Sequence, residues 1–142
     1  MTVRLTRTFE FDAPAERVWE FIADPAKRAD AISVVAEYEV DGDGAATWHV
    51  ELPIPLVKST VTVNTRDVEI DPPRYVKFVG RSRVLRVTGE HTVEAVGDGA
   101  KLHNEFVVEG RVPGVERFFK RNLDRELDNL ERVLRADLGL TA

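Results

Sequence analysis

The chain has 142 residues, 43% hydrophobic and 32% charged, and 25 acidic against 20 basic side chains leave a net charge of −5. A length of this order predicts one domain with one core over residues 1–142, and no apolar run approaches the roughly 20 residues that a bilayer span needs. The absence of cysteine excludes disulfides, thiolate chemistry and cysteine-ligated metals, and the acidic balance argues against nucleic acid as a partner.

The N-terminal MTVRLTRTFEF lacks the apolar stretch of a signal peptide, so a cytoplasmic location is the default expectation. Within it Val3, Leu5, Phe9 and Phe11 alternate with Arg4, Thr6, Thr8 and Glu10, which predicts a half-buried strand with Arg7 on its apolar side. In DAPAERVWEFIADP, Asp12 or Ala13 is placed to cap a helix, Pro14 fits its first turn, and Val18, Phe21 and Ile22 make one apolar face flanked by Trp19. Asp24-Pro25 ends that helix and opens a second, AKRADAI.

From residue 34 the period is two for about 75 residues. Ala36, Tyr38 and Val40 lead into the DGDG turn, and Ala46, Trp48, Val50 and Leu52 follow until Pro53 and Pro55 end pairing. Val61 and Val63 resume, and a parity shift near Arg66 and Asp67 toward Val68 and Ile70 predicts a bulge. DPPR at 71–74 turns the chain into YVKFVGRS and RVLRVTGEHTVEAV, and GDG at 97–99 turns it again into KLHNEFVVEG. Seven strands result. From Pro113 to Leu138 apolar residues recur at helical spacing, predicting a helix about 39 Å long at 1.5 Å per residue, with Glu116–Lys120 and Asp128–Arg132 as i, i+4 pairs.

This order is that of an α+β protein whose antiparallel sheet is covered by a single long helix. A rod of 10–12 Å is expected to leave part of a curled seven-stranded surface to large side chains, to the short helices or to a ligand. With FDAPAERVWEFIADP, VEIDPPRYVKF, TVEAVGDGAKL and the closing helix in this order, the chain resembles the START-like, or polyketide cyclase and birch-pollen-allergen-like, superfamily along essentially its whole length. The nearest likeness is to two of its branches, the accessory proteins of carbon monoxide dehydrogenase and the coenzyme Q-binding proteins, although AISVV at 31–35 stands where the former carry isoleucine-proline-glycine. The resemblance implies a helix-grip fold and a cavity for a hydrophobic small molecule: a lipid, an isoprenoid quinone or a polyketide-like ring system.

No nucleophile elbow, phosphate-cradling loop or metal-ligand cluster is present in the sequence, and no cofactor or metal is expected. Parity turns His49 and His103 to solvent and His91 inward, as either a hydrogen-bonded core histidine or a ligand-contacting group. In the superfamily's strand order the first strand pairs with the last, which would bring Arg7, His91 and Asn104 together, Arg7 needing a carboxylate, a carbonyl, water or a ligand as partner. The expected lining is Trp48, Val50, Val61, Val63, Phe78, Val87, Phe106 and Val108 from the sheet, with Phe118, Phe119, Asn122 and Leu123 from the helix; Asn122 either orients a ligand or sits at the boundary.

The functional expectation is a carrier or accessory protein for an apolar ligand. The alternative is a cyclase or dehydratase in which His91 and Arg7, with Asn104 as a further candidate, transfer protons or stabilise charge. LPIPLV at 52–57 and the basic run Arg111, Arg117, Lys120, Arg121 and Arg125 make a peripheral membrane or protein partner a further expectation.

Overall fold

The computed structural model describes residues 2–54 and 60–140. The elements are β1 (Thr2–Phe11), α1 (Ala15–Ile22), α2 (Pro25–Asp30), β2 (Val35–Gly42), β3 (Ala45–Val50), β4 (Val61–Asp71), β5 (Tyr75–Arg81), β6 (Leu85–Val96), β7 (Gly99–Gly110) and α3 (Val115–Asp137). The strands form one curled antiparallel sheet in the order β1-β7-β6-β5-β4-β3-β2, so the first strand pairs with the last, Arg7 opposite Asn104. The middle of LPIPLV lies outside the described residues.

The corner between the short helices follows from Asp24-Pro25. Pro25 lacks the N–H needed to continue α1, and the Asp24 carboxylate accepts from Ala26 N at 2.9 Å and Lys27 N at 3.4 Å, capping α2. At α1 the cap position is Pro14 itself, with no side-chain hydrogen bond, in place of the Asp12 or Ala13 cap expected. Val18, Phe21 and Ile22 are buried as their spacing requires. α1 packs on β6 and β7, α2 on β2 and β3, and α3 on β1 and β7.

Burial follows the alternation on β3, where Ala46, Trp48 and Val50 are all buried. The bulge expected in β4 is present between Asp67 and Glu69, but Val68 and Ile70 beyond it stay about half exposed, because no helix reaches that end of the sheet. β2 differs from expectation. A register shift between Val35 and Glu37 turns Ala36 outward, and Val40 is 47% exposed on this edge strand. Asp128 is drawn to Arg7 on β1, and Arg132 donates to Asn129, so the expected Asp128–Arg132 pair does not form.

Candidate functional site

The concave face of the sheet, α1, α2 and α3 enclose a cavity of about 60 Å³. Its floor is Trp48, Val50, Val63, Phe78, Leu85, Val87, His91, Phe106 and Val108; its roof is Phe119, Leu123, Glu126, Leu127 and Leu130 of α3; and Ile22, Arg28, Ile32, Val34 and Val35 close its sides. The hollow left by one thin helix is therefore mostly filled, chiefly by large side chains of α1 and α3 such as Phe21, Ile22, Phe119 and Leu127. What remains exceeds the 10–15 Å³ that admits a water and falls below the roughly 150 Å³ of a cavity that takes benzene.

Phe78 organises the floor. An added Cβ on Gly89 would stand 2.2 Å from Phe78 Cε1, so the absence of a side chain at Gly89 is what lets the Phe78 ring lie across β6. Around that ring stand Trp48, edge-on at 5.6 Å, His91, stacked at 6.1 Å, and the Arg28 guanidinium carbon at 5.2 Å from its centroid. Phe106 adds edge contacts to Phe78 at 6.3 Å and to His91 at 5.3 Å.

Arg28 is 5% exposed, which few arginines are. Its Nη1 donates to Ile22 O at 2.9 Å and its Nη2 to Asp67 Oδ1 at 2.5 Å. Burial lowers the guanidinium pKa and raises that of the Asp67 carboxyl, and the attraction between the two opposes both shifts. His91 is 1% exposed, with Nδ1 2.7 Å from Asn104 Oδ1. Burial pushes its pKa down to about 4; the Asn104 hydrogen bond and the Glu90 charge oppose this and the Arg28 charge adds to it, so the ring is neutral at pH 7.

Four buried side-chain polar atoms among the described residues lack a hydrogen-bond partner, and three of them, Arg28 Nε, Trp48 Nε1 and His91 Nε2, belong to residues walling this cavity. Such atoms ordinarily find a partner in the protein or in water.

Nine of the residues expected from sequence line the cavity: Trp48, Val50, Val63, Phe78, Val87, His91, Phe106, Phe119 and Leu123. Val61, Asn104, Phe118 and Asn122 do not. Val61 lies at the strand end, Asn104 is placed behind His91, Phe118 packs edge-on against Phe119 at 5.1 Å, and Asn122 donates to its own helix at Phe118 O, 2.7 Å away. Arg7 departs furthest from expectation. Its guanidinium pairs with Asp124 at 2.6 Å and with Asp128, because α3 crosses β1 with these acids facing down, and only its backbone carbonyl meets Asn104, at 3.1 Å. Arg28 and Glu126 were missed; an arginine in a six-residue helix and a glutamate in a charged one carry no sequence sign of facing inward.

The mouth is strapped shut by residues 31–35. Ser33 N donates to Glu126 Oε1 at 2.7 Å, Ser33 Oγ donates to Glu126 Oε2, and Asn129 Nδ2 donates to Ala31 O at 2.7 Å.

Solved structures share this fold. A conserved protein from Geobacillus kaustophilus superposes with a TM-score of 0.80 at 14% identity, covering 96% of this chain and 95% of that one. The Zhui aromatase/cyclase from Streptomyces sp. R1128 gives 0.75 at 19% over 96% and 94%, and a START superfamily protein from Mycobacterium smegmatis 0.75 at 14% over 96% and 97%. No curated protein sequence matches the chain. The sequence profile described as "Polyketide cyclase / dehydrase and lipid transport" does, over residues 2–135, and the chain belongs to that family.

Proposed function

We propose that the protein binds an apolar small molecule in the cavity beneath α3, as a carrier or accessory protein. The observation that carries this is the meeting of three unpartnered buried polar atoms around one otherwise apolar hollow. Each such atom costs about 1–3 kcal/mol when left unmade, an expense that a core selected only for packing avoids with a Leu or a Phe. A ligand carrying oxygen functions among its carbons removes the cost. Drug-sized ligands occupy about 300 Å³ or more, so binding widens the chamber, and the strap at 31–35 is the wall with the fewest apolar anchors. Lipids, polyketide-like rings and the quinones suggested by the coenzyme Q-binding resemblance all fall within this class.

The test is binding of the uncharged dye N-phenyl-1-naphthylamine, followed by its fluorescence, together with native mass spectrometry of the purified protein. Saturable binding that is lost in Val87→Phe, which fills the floor, supports the proposal. Equal emission from both proteins overturns it.

The enzymatic alternative, a cyclase or dehydratase, keeps His91 and exchanges Arg7 for Arg28. The observation in its favour is a neutral imidazole and a guanidinium flanking the same aromatic floor. Turnover of a poly-β-keto substrate that is abolished in His91→Gln would favour it over the carrier.

Delivery to an anionic membrane fits the cationic end of α3. Arg111, Arg117, Lys120 and Arg121 border one groove there, and Ile54 stands 3.6 Å from the place of a Gly114 Cβ. Flotation with phosphatidylglycerol vesicles, lost in Arg117→Glu/Lys120→Glu, supports this; flotation unchanged by the double substitution rejects it.

A further inference from the structure

The three unpartnered atoms differ in kind, and their neighbours fix what each can do. Asn104 Nδ2 donates to the carbonyls of Arg7 at 3.1 Å and Leu102 at 3.3 Å, so the group it turns to His91 is its oxygen. That oxygen accepts only. His91 Nδ1 therefore carries the ring proton, and Nε2 of the neutral imidazole is a bare lone pair. Trp48 Nε1 and Arg28 Nε are N–H donors without acceptors.

Charge is the second constraint. The Arg28 cation is matched by Asp67 at 2.5 Å, with both side chains under one-tenth exposed, so this end of the cavity holds no unspent positive charge. The Glu126 carboxylate, clasped by Ser33, sits in the roof and opposes a second anion. An arginine in an apolar cavity ordinarily suggests a carboxylate or phosphate ligand; here its two terminal nitrogens are already committed.

We infer that the cavity selects an uncharged apolar molecule bearing a hydroxyl, which donates to His91 Nε2 while ligand oxygen accepts from Arg28 or Trp48, and that it rejects the corresponding carboxylate. This rests on the cavity-binding proposal above and adds the charge state and hydrogen-bonding pattern of the ligand. The aromatic floor of Phe78, Phe106 and Trp48 suits a flat ring body.

The test is calorimetric titration of the intact protein at pH 7.5 with four probes of one shape: 2-naphthol, 2-methoxynaphthalene, naphthalene and 2-naphthoate. 2-Naphthol is expected to bind about tenfold more tightly than the methyl ether, which accepts but cannot donate, and than naphthalene, with 2-naphthoate about 100-fold weaker than 2-naphthol. In His91→Phe the preference for the naphthol over its ether is expected to vanish while naphthalene still binds. If the four bind alike, or the naphthoate binds best, the inference is overturned, with water serving the three atoms, and cavity binding survives. If none binds, both fall.

Discussion

Arg28 Nη2 and Asp67 Oδ1 lie 2.5 Å apart, with their side chains 5% and 8% exposed, and so bolt α2 to the bulge of β4. Removing one partner strands the other charge in a place water does not reach. Asp67→Ala is expected to destabilise the fold by about 3–5 kcal/mol, read as a lower urea midpoint at unchanged slope. Replacing both together, Arg28→Met with Asp67→Leu, is expected to recover most of that loss. A single-variant loss below about 1 kcal/mol would show that the charges are solvated.

His91 ties stability to pH in a defined window. Its pKa falls from 6.5 to about 4 on folding, through burial, with Asn104, Arg28 and Glu90 as the groups acting on it. Above pH 6.5 the imidazole is neutral in both folded and unfolded chains, and its contribution is fully present. As pH falls from 6.5 toward 4 the unfolded chain takes up a proton that the folded chain refuses, so stability declines, by about 3 kcal/mol in all, and this group adds nothing further below pH 4. Urea unfolding at pH 7.5, 5.5 and 4.5 should give a steeper decline for the native chain than for His91→Gln; parallel declines would assign the acid sensitivity to the carboxylates.

Gly89 sets the height of the cavity floor. A methyl placed 2.2 Å from Phe78 Cε1 has no room, and the Phe78 ring, hemmed by Trp48 and Phe106, can yield only into the cavity. Gly89→Ala is therefore expected to abolish dye binding and to cost about 1–3 kcal/mol from overpacking. The double variant Gly89→Ala/Phe78→Leu should regain stability. Unimpaired binding in the single variant would mean that Phe78 escapes elsewhere.

The strands and the lining from β3 to β7 are legible because alternation fixes which side of a sheet each residue takes, and the hairpin turns keep that parity from strand to strand. Legibility fails where parity breaks. The bulge at Ala36 reverses the start of β2, and the one after Asp67 sends Val68 and Ile70 to an uncovered end. Rotation of a helix about its axis is a second blind spot: Asp124 and Asp128, which claim Arg7, and Glu126, which clasps Ser33, lie on faces that the apolar stripe of α3 fixes only loosely. Arg28 is hidden for a third reason. What buries it is a carboxylate 39 residues away at an irregular strand position, and no local pattern records such a partner.

The strap over the mouth sets how fast a ligand enters. Ile32, Val34 and Val35 cover the chamber from a segment tied to α3 by Glu126 and Asn129 through three hydrogen bonds, all between the strap and one helix. Because the chamber is too small at rest for a two-ring dye, the strap must lift before binding, and the bonds broken on lifting raise the barrier equally for entry and exit. Ser33→Ala/Asn129→Ala removes two of the three, worth about 1 kcal/mol each at most sites. Association and dissociation rates of the dye in stopped flow are then expected to rise together by about tenfold, with Kd changed less than threefold, since the closed complex loses as much as the closed empty form. Rates equal to those of the native chain would place the entrance elsewhere on the rim.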